Sequence, residues 1–347
     1  MIKGKLDNHT LNKLVLGRTG APRPEVIVGP GIGEDCAVLD FGEYECVLST
    51  DPITASASRI GFLAVHISCN DVASNGVEPI AIMLTILLPL GITEEEISEI
   101  TKQADEAAKD LGVQIIGGHT EVTDTVTQPL ISATAIGRAP KGFSGGSLSG
   151  ESGGQSGESG PEPGDLIVVT KKLALEGTAI AVTQCEGMLR SSLTEEEILE
   201  AKKMFEQISV VKEGVIAGRI GVAAMHDVTE GGILGAVWEI CSRTGLGTGT
   251  GMGAEIIARD LPISDLTMMV CALLDLDPMR LISSGSMLIC VKQEKWEPLK
   301  AAFSEAGIEA SVIGSIKPPE HGIMLVMKNG EKEIVGPPGP DEIYKIS

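Results

Sequence analysis

Three aspartates, each beside small or hydroxyl-bearing residues, carry the first chemical signal. Asp35 closes the stretch Gly29-Pro30-Gly31-Ile32-Gly33-Glu34-Asp35. Asp51 follows Val47-Leu48-Ser49-Thr50, and Asp71 lies in Ser68-Cys69-Asn70-Asp71. Glycines let a backbone turn tightly and bring its N–H groups against an anion. An acid directly after such a loop suits a phosphate held together with the metal that neutralises it. Carboxylate oxygens are hard ligands, and Mg2+ bridges phosphate oxygens while keeping some of its waters. For Asp35 and Asp51 the ordinary alternative is a turn or cap. Asp71 falls instead in an otherwise apolar helix, where an unpartnered carboxylate is costly. Taken together, the three acids favour one Mg-nucleotide site.

A fourth acid, Asp227, ends the strand-like run Ala223-Ala224-Met225-His226 and precedes Val228-Thr229-Glu230-Gly231-Gly232. Thr229 and Glu230 sit at a predicted helix start, where they either cap the helix or meet a phosphate. His226 reads as structural. In Gly117-Gly118-His119-Thr120-Glu121 the histidine follows a short buried-looking strand. There it is either a hydrogen-bonded structural residue or a substrate or phosphate contact. The common nucleotide signatures are absent: there is no G-x-x-x-x-G-K-[ST], and Gly247-Thr248-Gly249-Thr250-Gly251 does not complete G-x-G-x-x-G. Gly150-Glu151-Ser152-Gly153-Gly154 satisfies G-x-S-x-G but lacks the strand-turn-helix context that motif needs.

The elements that must position these groups alternate along the chain. Apolar spacing predicts a helix over 59–76 that carries Asn70 and Asp71 and stops at Gly76. Strands are expected at 45–50, 80–88, 113–116 and 130–138. Thr93-Glu94-Glu95-Glu96 is a capping box opening a helix to about Leu111. Beyond residue 165 the pattern predicts strands at 166–170, 223–227, 286–292 and 310–316. It places helices at 176–185, 194–206, 209–220, 264–274 and 294–306, one more running to Arg243, and a hairpin over 322–335 around Asn329-Gly330. A short amphipathic helix is expected at 9–18 and a glycine-rich loop over 245–253. The stretch 142–164 is nearly all Gly, Ser, Glu, Gln and Pro, and reads as a flexible surface linker. Mixed helix and strand on both sides of it give an α/β (α+β) class with two lobes.

Bulk properties narrow the function. The 347 residues suffice for two domains, and 43% hydrophobic content marks a globular chain. The net charge of −21 argues against nucleic acid or an anionic membrane as partner. It also means that a polyphosphate would enter an acidic cleft together with divalent metal. No run reaches the ~18 apolar residues of a membrane span. The polar start of the chain carries no signal peptide pattern. Seven cysteines without a C-x-x-C pair read as reduced core thiols. A cytoplasmic protein is expected.

The motifs, in this order and spacing, resemble the PurM-like ATP-binding superfamily. That superfamily includes aminoimidazole ribonucleotide (AIR) synthetase, the hydrogenase maturation factor HypE, thiamine-monophosphate kinase and selenophosphate synthetase. The residues that carry the likeness are Gly31-Ile32-Gly33-Glu34-Asp35-Cys36-Ala37-Val38, Ser49-Thr50-Asp51, Asn70 to Pro79, Gly117-Gly118-His119-Thr120 and Asp227 to Gly232. The chain looks most like HypE-like, AIR-synthase-related proteins. The resemblance implies an N-terminal ATP-binding domain over 1–141, whose sheet pairs with that of a second subunit in a homodimer. The 142–164 linker then leads to a C-terminal α/β domain over 165–347, with ATP and Mg2+ between the two domains. It implies Asp35, Asp51, Asp71 and Asp227 as metal ligands, and Ser49 and Thr50 as metal or phosphate contacts. Gly31, Gly33, Asn70, Gly117, Gly118, His119 and Thr229 become nucleotide-site candidates, and His119 with Glu121 the catalytic candidates.

The implied chemistry moves the γ-phosphoryl of ATP onto a carbonyl or amide oxygen of a small molecule or a carbamoylated protein, in the company of hydrogenase maturation proteins. Two alternatives stand beside it: a small-molecule kinase of the thiamine-monophosphate type, and a nucleotide-binding maturation partner without turnover. The kinase family has an acid where His119 stands, and selenophosphate synthetase a reactive cysteine in an N-terminal glycine-rich loop that this chain lacks. HypE ends in Pro-Arg-Ile-Cys, whereas this sequence ends Tyr344-Lys345-Ile346-Ser347, and a hydroxyl cannot form the thiocyanate that HypE's terminal cysteine carries. Deleting 145–160 should leave the melting temperature unchanged in a thermal unfolding scan; a large drop would mean that the insert packs.

Overall fold

The computed structural model describes residues 6, 8–31, 34–53, 59–142, 160–243 and 251–346. Gly33, Ser347, most of the expected linker with its G-x-S-x-G run, and most of the 245–253 loop lie outside the described residues.

The first lobe is a six-stranded sheet. Its strands are β1 (Val26–Val28), β2 (Ala37–Asp40), β3 (Tyr44–Ile53), β4 (Pro79–Pro89), β5 (Gln114–Thr123) and β6 (Leu130–Pro140), in the order β1-β2-β3-β6-β4-β5. Only β4 and β5 run parallel, joined by α3 (Glu94–Leu111); the other pairings are antiparallel. Thr93 and Glu96 form the expected reciprocal capping box, and Gly112 ends α3 in the left-handed conformation at φ 70°. Before the sheet, the expected helix at 9–18 is one short α-turn, α1 (Asn8–Leu11), continuing into a π-turn (Asn12–Leu16).

The helix α2 (Ile60–Ser74) is apolar on nearly every side and is buried on nearly every side. It packs on β3 and β6, against α3, and against α6 (Val211–Ile220) of the second lobe. The contact with α6 is close enough to require glycine. A Cβ on Gly214 would stand 2.1 Å from the Ala73 carbonyl oxygen.

The second lobe is a seven-stranded sheet of β7 (Leu166–Thr170), β8 (Ala224–Asp227), β9 (Gly253–Ile257), β10 (Met287–Val291), β11 (Ala310–Lys317), β12 (Ile323–Val326) and β13 (Lys332–Ile334). The order is β13-β12-β9-β11-β7-β10-β8, with β9 and β12 parallel. Both faces are covered, so β7 is apolar throughout rather than alternating. Ile167 and Val169 join α7 (Gly232–Arg243) in one cluster, while Val168 faces α6 and α9 (Gln293–Glu305) in another. A third cluster gathers α4 (Leu175–Leu189), α5 (Glu195–Lys203) and α8 (Asp265–Leu274) around Leu63 of α2. That cluster joins the lobes.

Polar bonds reinforce the junction. Asn70 Nδ2 donates to the Ile208 carbonyl at 2.8 Å, and Asn70 Oδ1 accepts from the Val210 N–H at 2.8 Å. On the second-lobe side, the half-buried Lys171 holds that same backbone, donating to the carbonyls of Gln207 and Ser209 and pairing with Glu213 at 2.7 Å. Gly214→Val should lower the unfolding free energy by at least about 2 kcal/mol, through overpacking against backbone that cannot move aside. A urea midpoint equal to that of the parent would contradict this reading of the α2–α6 contact.

Candidate functional site

The two lobes enclose a cleft of about 910 Å3. The loop before β2 contributes Gly29, Pro30, Glu34 and Asp35; β3 contributes Ser49, Thr50 and Asp51; α2 contributes Asp71. From the second lobe come Glu176, Asp227, Thr229, Glu230, Ser284 and Tyr344. Four aspartates that the sequence spreads over almost two hundred positions (35 to 227) thus line one cavity. No Lys or Arg is among its described lining residues.

The acids are held by defined contacts. Ser49 Oγ donates to Asp71 Oδ2 at 2.6 Å. The Asp71 carbonyl accepts from Ser74 Oγ at 2.7 Å and from Cys36 Sγ and Asn75 Nδ2 at 3.3 Å. Asp71 is 5% exposed and Asp227 1%. Burial, then the charges of Asp227 and Asp51, a hydrogen bond with Asp51 and the charge of Asp35 push the Asp71 carboxyl well above the usual range. The same neighbourhood raises the Cys36 thiol, first by burial and then by Asp71, Asp35, Asp227 and Asp51. That thiol is therefore inert and structural.

His226, read from sequence as structural, is bonded through both ring nitrogens. Nδ1 lies 2.9 Å from Asp35 Oδ2 and Nε2 lies 2.7 Å from Glu239 Oε2. Ligand atoms of Asp35, His226 and Asp227 lie within 4.8 Å of one another. With both nitrogens engaged, the imidazole orients Asp35, and the donors facing the cleft are carboxylate oxygens. A set of that kind fits a hard cation such as Mg2+.

Other predicted site residues sit elsewhere. Gly31 belongs to the loop before β2 without lining the cleft, and Gly33 lies outside the described residues. Asn70 does not reach the cleft: it is 0% exposed, and both ends of its amide are taken up by the 208–210 backbone. Its neighbour Asp71 points the other way because successive helix positions are about 100° apart. Gly117, Gly118, His119 and Glu121 are not in a loop but inside β5, on the open edge of the first sheet. None of the four lines the cleft of its own chain. His119 Nε2 contacts Glu121 Oε2 at 3.0 Å, with both side chains exposed. Gly118 has a packing reason: a Cβ there would meet the Leu84 carbonyl oxygen at 1.8 Å.

Sequence reasoning missed Glu176, Glu239, Ser284 and Tyr344, while Glu230, read as a cap or phosphate contact, lines the cleft with its carboxylate on the Tyr344 hydroxyl. For Glu176 a signal existed: it is a lone charge within Leu173-Ala174-Leu175-Glu176-Gly177-Thr178. In the structure it falls in the first turn of α4 and is 5% exposed. Burial above all raises its pKa from 4.5 to about 7, helped by Asp341, Glu230 and Asp227 and opposed by the nearby Ser284 hydroxyl. A carboxyl whose folded pKa exceeds its unfolded one favours folding below the unfolded value, and that contribution is lost as pH climbs through the folded value. Metal-free protein should therefore lose stability between pH 4.5 and about 7. Glu176→Gln should flatten that slope by an amount on the order of 3 kcal/mol, measured by urea unfolding across the window. An unchanged slope would mean that Glu176 ionises freely.

With this geometry in hand, the chain can be compared with known proteins. Residues 33–139 match the AIR synthase related protein N-terminal domain, and residues 162–326 the AIR synthase related protein C-terminal domain. A protein of Methanocaldococcus jannaschii, provisionally described as a hydrogenase expression/formation protein, is 29% identical over 330 residues, covering 92% of this chain and 91% of its own. The carbamoyl dehydratase HypE of Azotobacter vinelandii is 25% identical over 300 residues, covering 83% and 80%. A solved structure of the hydrogenase maturation protein HypE in complex with ATP superposes with a TM-score of 0.63 over 99% of this chain and 98% of that one. At 18% identity that is a likeness of fold. The two domain matches fall in order on the two lobes, and the mixed α/β, two-domain chain belongs to the AIR synthase related family.

Proposed function

We propose that this chain is an ATP-dependent enzyme of the AIR synthase/HypE type, acting in hydrogenase maturation, that activates a carbonyl or amide oxygen by phosphoryl transfer. The observation that carries the reading is the meeting of Asp35, Asp51, Asp71 and Asp227 in one cleft whose described lining holds no basic side chain. Buried like charges repel, and a divalent cation bound with a triphosphate offsets that repulsion. The relatives described as a carbamoyl dehydratase and as a hydrogenase expression/formation protein, and the HypE structure with ATP, support it.

The chain's own groups have distinct tasks in this reading. Asp35, Asp51, Asp71 and Asp227 hold Mg2+, which when bound offsets charge on the transferring phosphoryl group. Ser49 fixes the Asp71 carboxylate and His226 fixes Asp35, so both acids are oriented before the nucleotide arrives. Thr229, just ahead of α7, faces the cleft as a phosphate contact. Leu63, Ile67 and Ile282 keep part of the wall apolar and exclude water from it.

The same reading includes a homodimer. β5 is an edge strand, with Ile116 and Val122 exposed, and Ile80 and Met83 of the adjacent β4 are exposed as well. An open apolar edge of this kind is a template for pairing with another chain. A second copy docked there would cover β5, and His119 and Glu121 would then serve the partner's cleft rather than their own.

Asp71→Asn should weaken Mg-ATP binding at least about tenfold while leaving the protein folded, as read by nucleotide titration and circular dichroism. Unchanged affinity in a folded variant would count against the metal assignment. Release of ADP with inorganic phosphate on adding an amide substrate would support oxygen activation, whereas a stable phosphorylated product would point to a kinase.

A further inference from the structure

Helix α8 is apolar on the side that it buries and apolar again on the side that it leaves open. Leu266, Val270 and Cys271 are buried in the cluster shared with α4 and α5. Facing outward, Met268 is 45% exposed, Met269 37% and Leu273 42%. Ala272 is exposed between them. Positions 265, 268, 269 and 272 follow the i, i+3, i+4, i+7 spacing, so Asp265, Met268, Met269 and Ala272 form one outward stripe.

A helix that is apolar all round belongs in an interior. Where a helix of this chain faces water, as α3 does, its outward residues are charged: Glu95, Glu99, Lys102, Glu106 and Lys109. α8 carries no Lys or Arg, and Asp265 is its only charge. Of the two helices that α8 packs on, α4 exposes Met188 and α5 exposes Leu199. Single exposed apolar side chains are normal on any surface, but a helical stripe of them marks a contact face. None of Met268, Met269, Leu273 and Leu199 lines the cleft, so this face is separate from the phosphoryl site.

Charge decides what covers it. Glu196 and Glu200 bracket Leu199 on α5, and with Asp265 they are exposed and in no ion pair among the described residues. Arg190 and Lys202 are both held by Glu186, which leaves Lys203 as the one cation of α5 without an acid among the described residues. The rim is therefore acidic, in a chain of net charge −21. A second copy docked face to face would set these acids against themselves. An anionic membrane would be repelled by them. A partner that flanks its apolar residues with Lys or Arg is matched on both counts. Methionine suits such a surface, because its unbranched thioether side chain adapts to irregular apolar shapes.

We propose that the outward face of α8, with α5 beside it, is a docking surface for a basic amphipathic helix of another protein. The partner's apolar stripe lies on Met268, Met269 and Leu273, and its Lys or Arg residues meet Asp265, Glu196 and Glu200.

Two synthetic helical peptides serve as probes, one of Leu and Lys with its leucines on a single face, the other with Glu in place of every Lys. Each is titrated against the full chain by fluorescence anisotropy and by NMR of methyl-labelled methionines. The Leu/Lys peptide should move the methyl signals of Met268 and Met269 and leave that of Met83, which is as exposed on β4. It should bind at least about tenfold more tightly than the Leu/Glu peptide. Met268→Gln with Leu273→Gln should weaken it about tenfold, and Glu196→Gln with Glu200→Gln about threefold. All four substitutions are on the surface, so circular dichroism and nucleotide affinity should match those of the parent. Undiminished binding by the α8 variant, equal binding of the two peptides, or shifts at Met83 in place of α8 would overturn the proposal. Self-association in sedimentation, or binding to phosphatidylglycerol vesicles, would overturn it too if lost in the α8 variant, and would assign the face to a second copy or to a membrane.

Discussion

The constraint on which the structure depends is electrostatic crowding. Asp35, Asp51, Asp71 and Asp227 line one cleft, with Glu176 and Glu230 on the same wall and no described basic side chain among them. Such a cluster destabilises the empty fold. The raised carboxyls of Asp71 and Glu176 are the local sign of that tension. The framework tolerates it because two of the acids are anchored by bonded neighbours, Asp71 through Ser49 and Asp35 through His226. A site preorganised in this way is a local conflict that the rest of the fold outweighs.

That framework centres on α2. One helix carries Asp71 toward the cleft, Asn70 toward the 208–210 backbone of the second lobe, and Leu63 into the apolar cluster that bridges the lobes. Its C-terminal end lies so close to α6 that Gly214 has no room for a side chain. The geometry of the acids and the docking of the lobes are therefore consequences of the same packing.

Much of this was legible from residue order. The four aspartates announced themselves through their glycine, serine and threonine neighbours, and Thr93 with Glu96 marked the start of α3. What sequence could not supply was the partner of each group. Gly117-Gly118 looks like a turn, yet it lies in β5 because Gly118 must pass the Leu84 carbonyl across the parallel β4–β5 pairing. Asn70 stands beside a cleft residue, but its amide is taken by backbone 138 to 140 positions away. β9 was hidden because its first residue, Gly253, closes a glycine-rich stretch. Glu239 is the one acid within α7, but nothing in its neighbours names His226, thirteen positions earlier, as its partner.

The segment after residue 340 is built into the site as well. Asp341 accepts from the N–H groups of Gly231, Ile282 and Ile343, and burial lifts its carboxyl to about 6. Three residues on, Tyr344 lines the cleft with its hydroxyl on Glu230 Oε1 at 2.9 Å. Any change that loosens the 341–344 turn therefore reaches the binding wall through two routes at once, the backbone N–H groups that Asp341 gathers and the Glu230 carboxylate that Tyr344 holds.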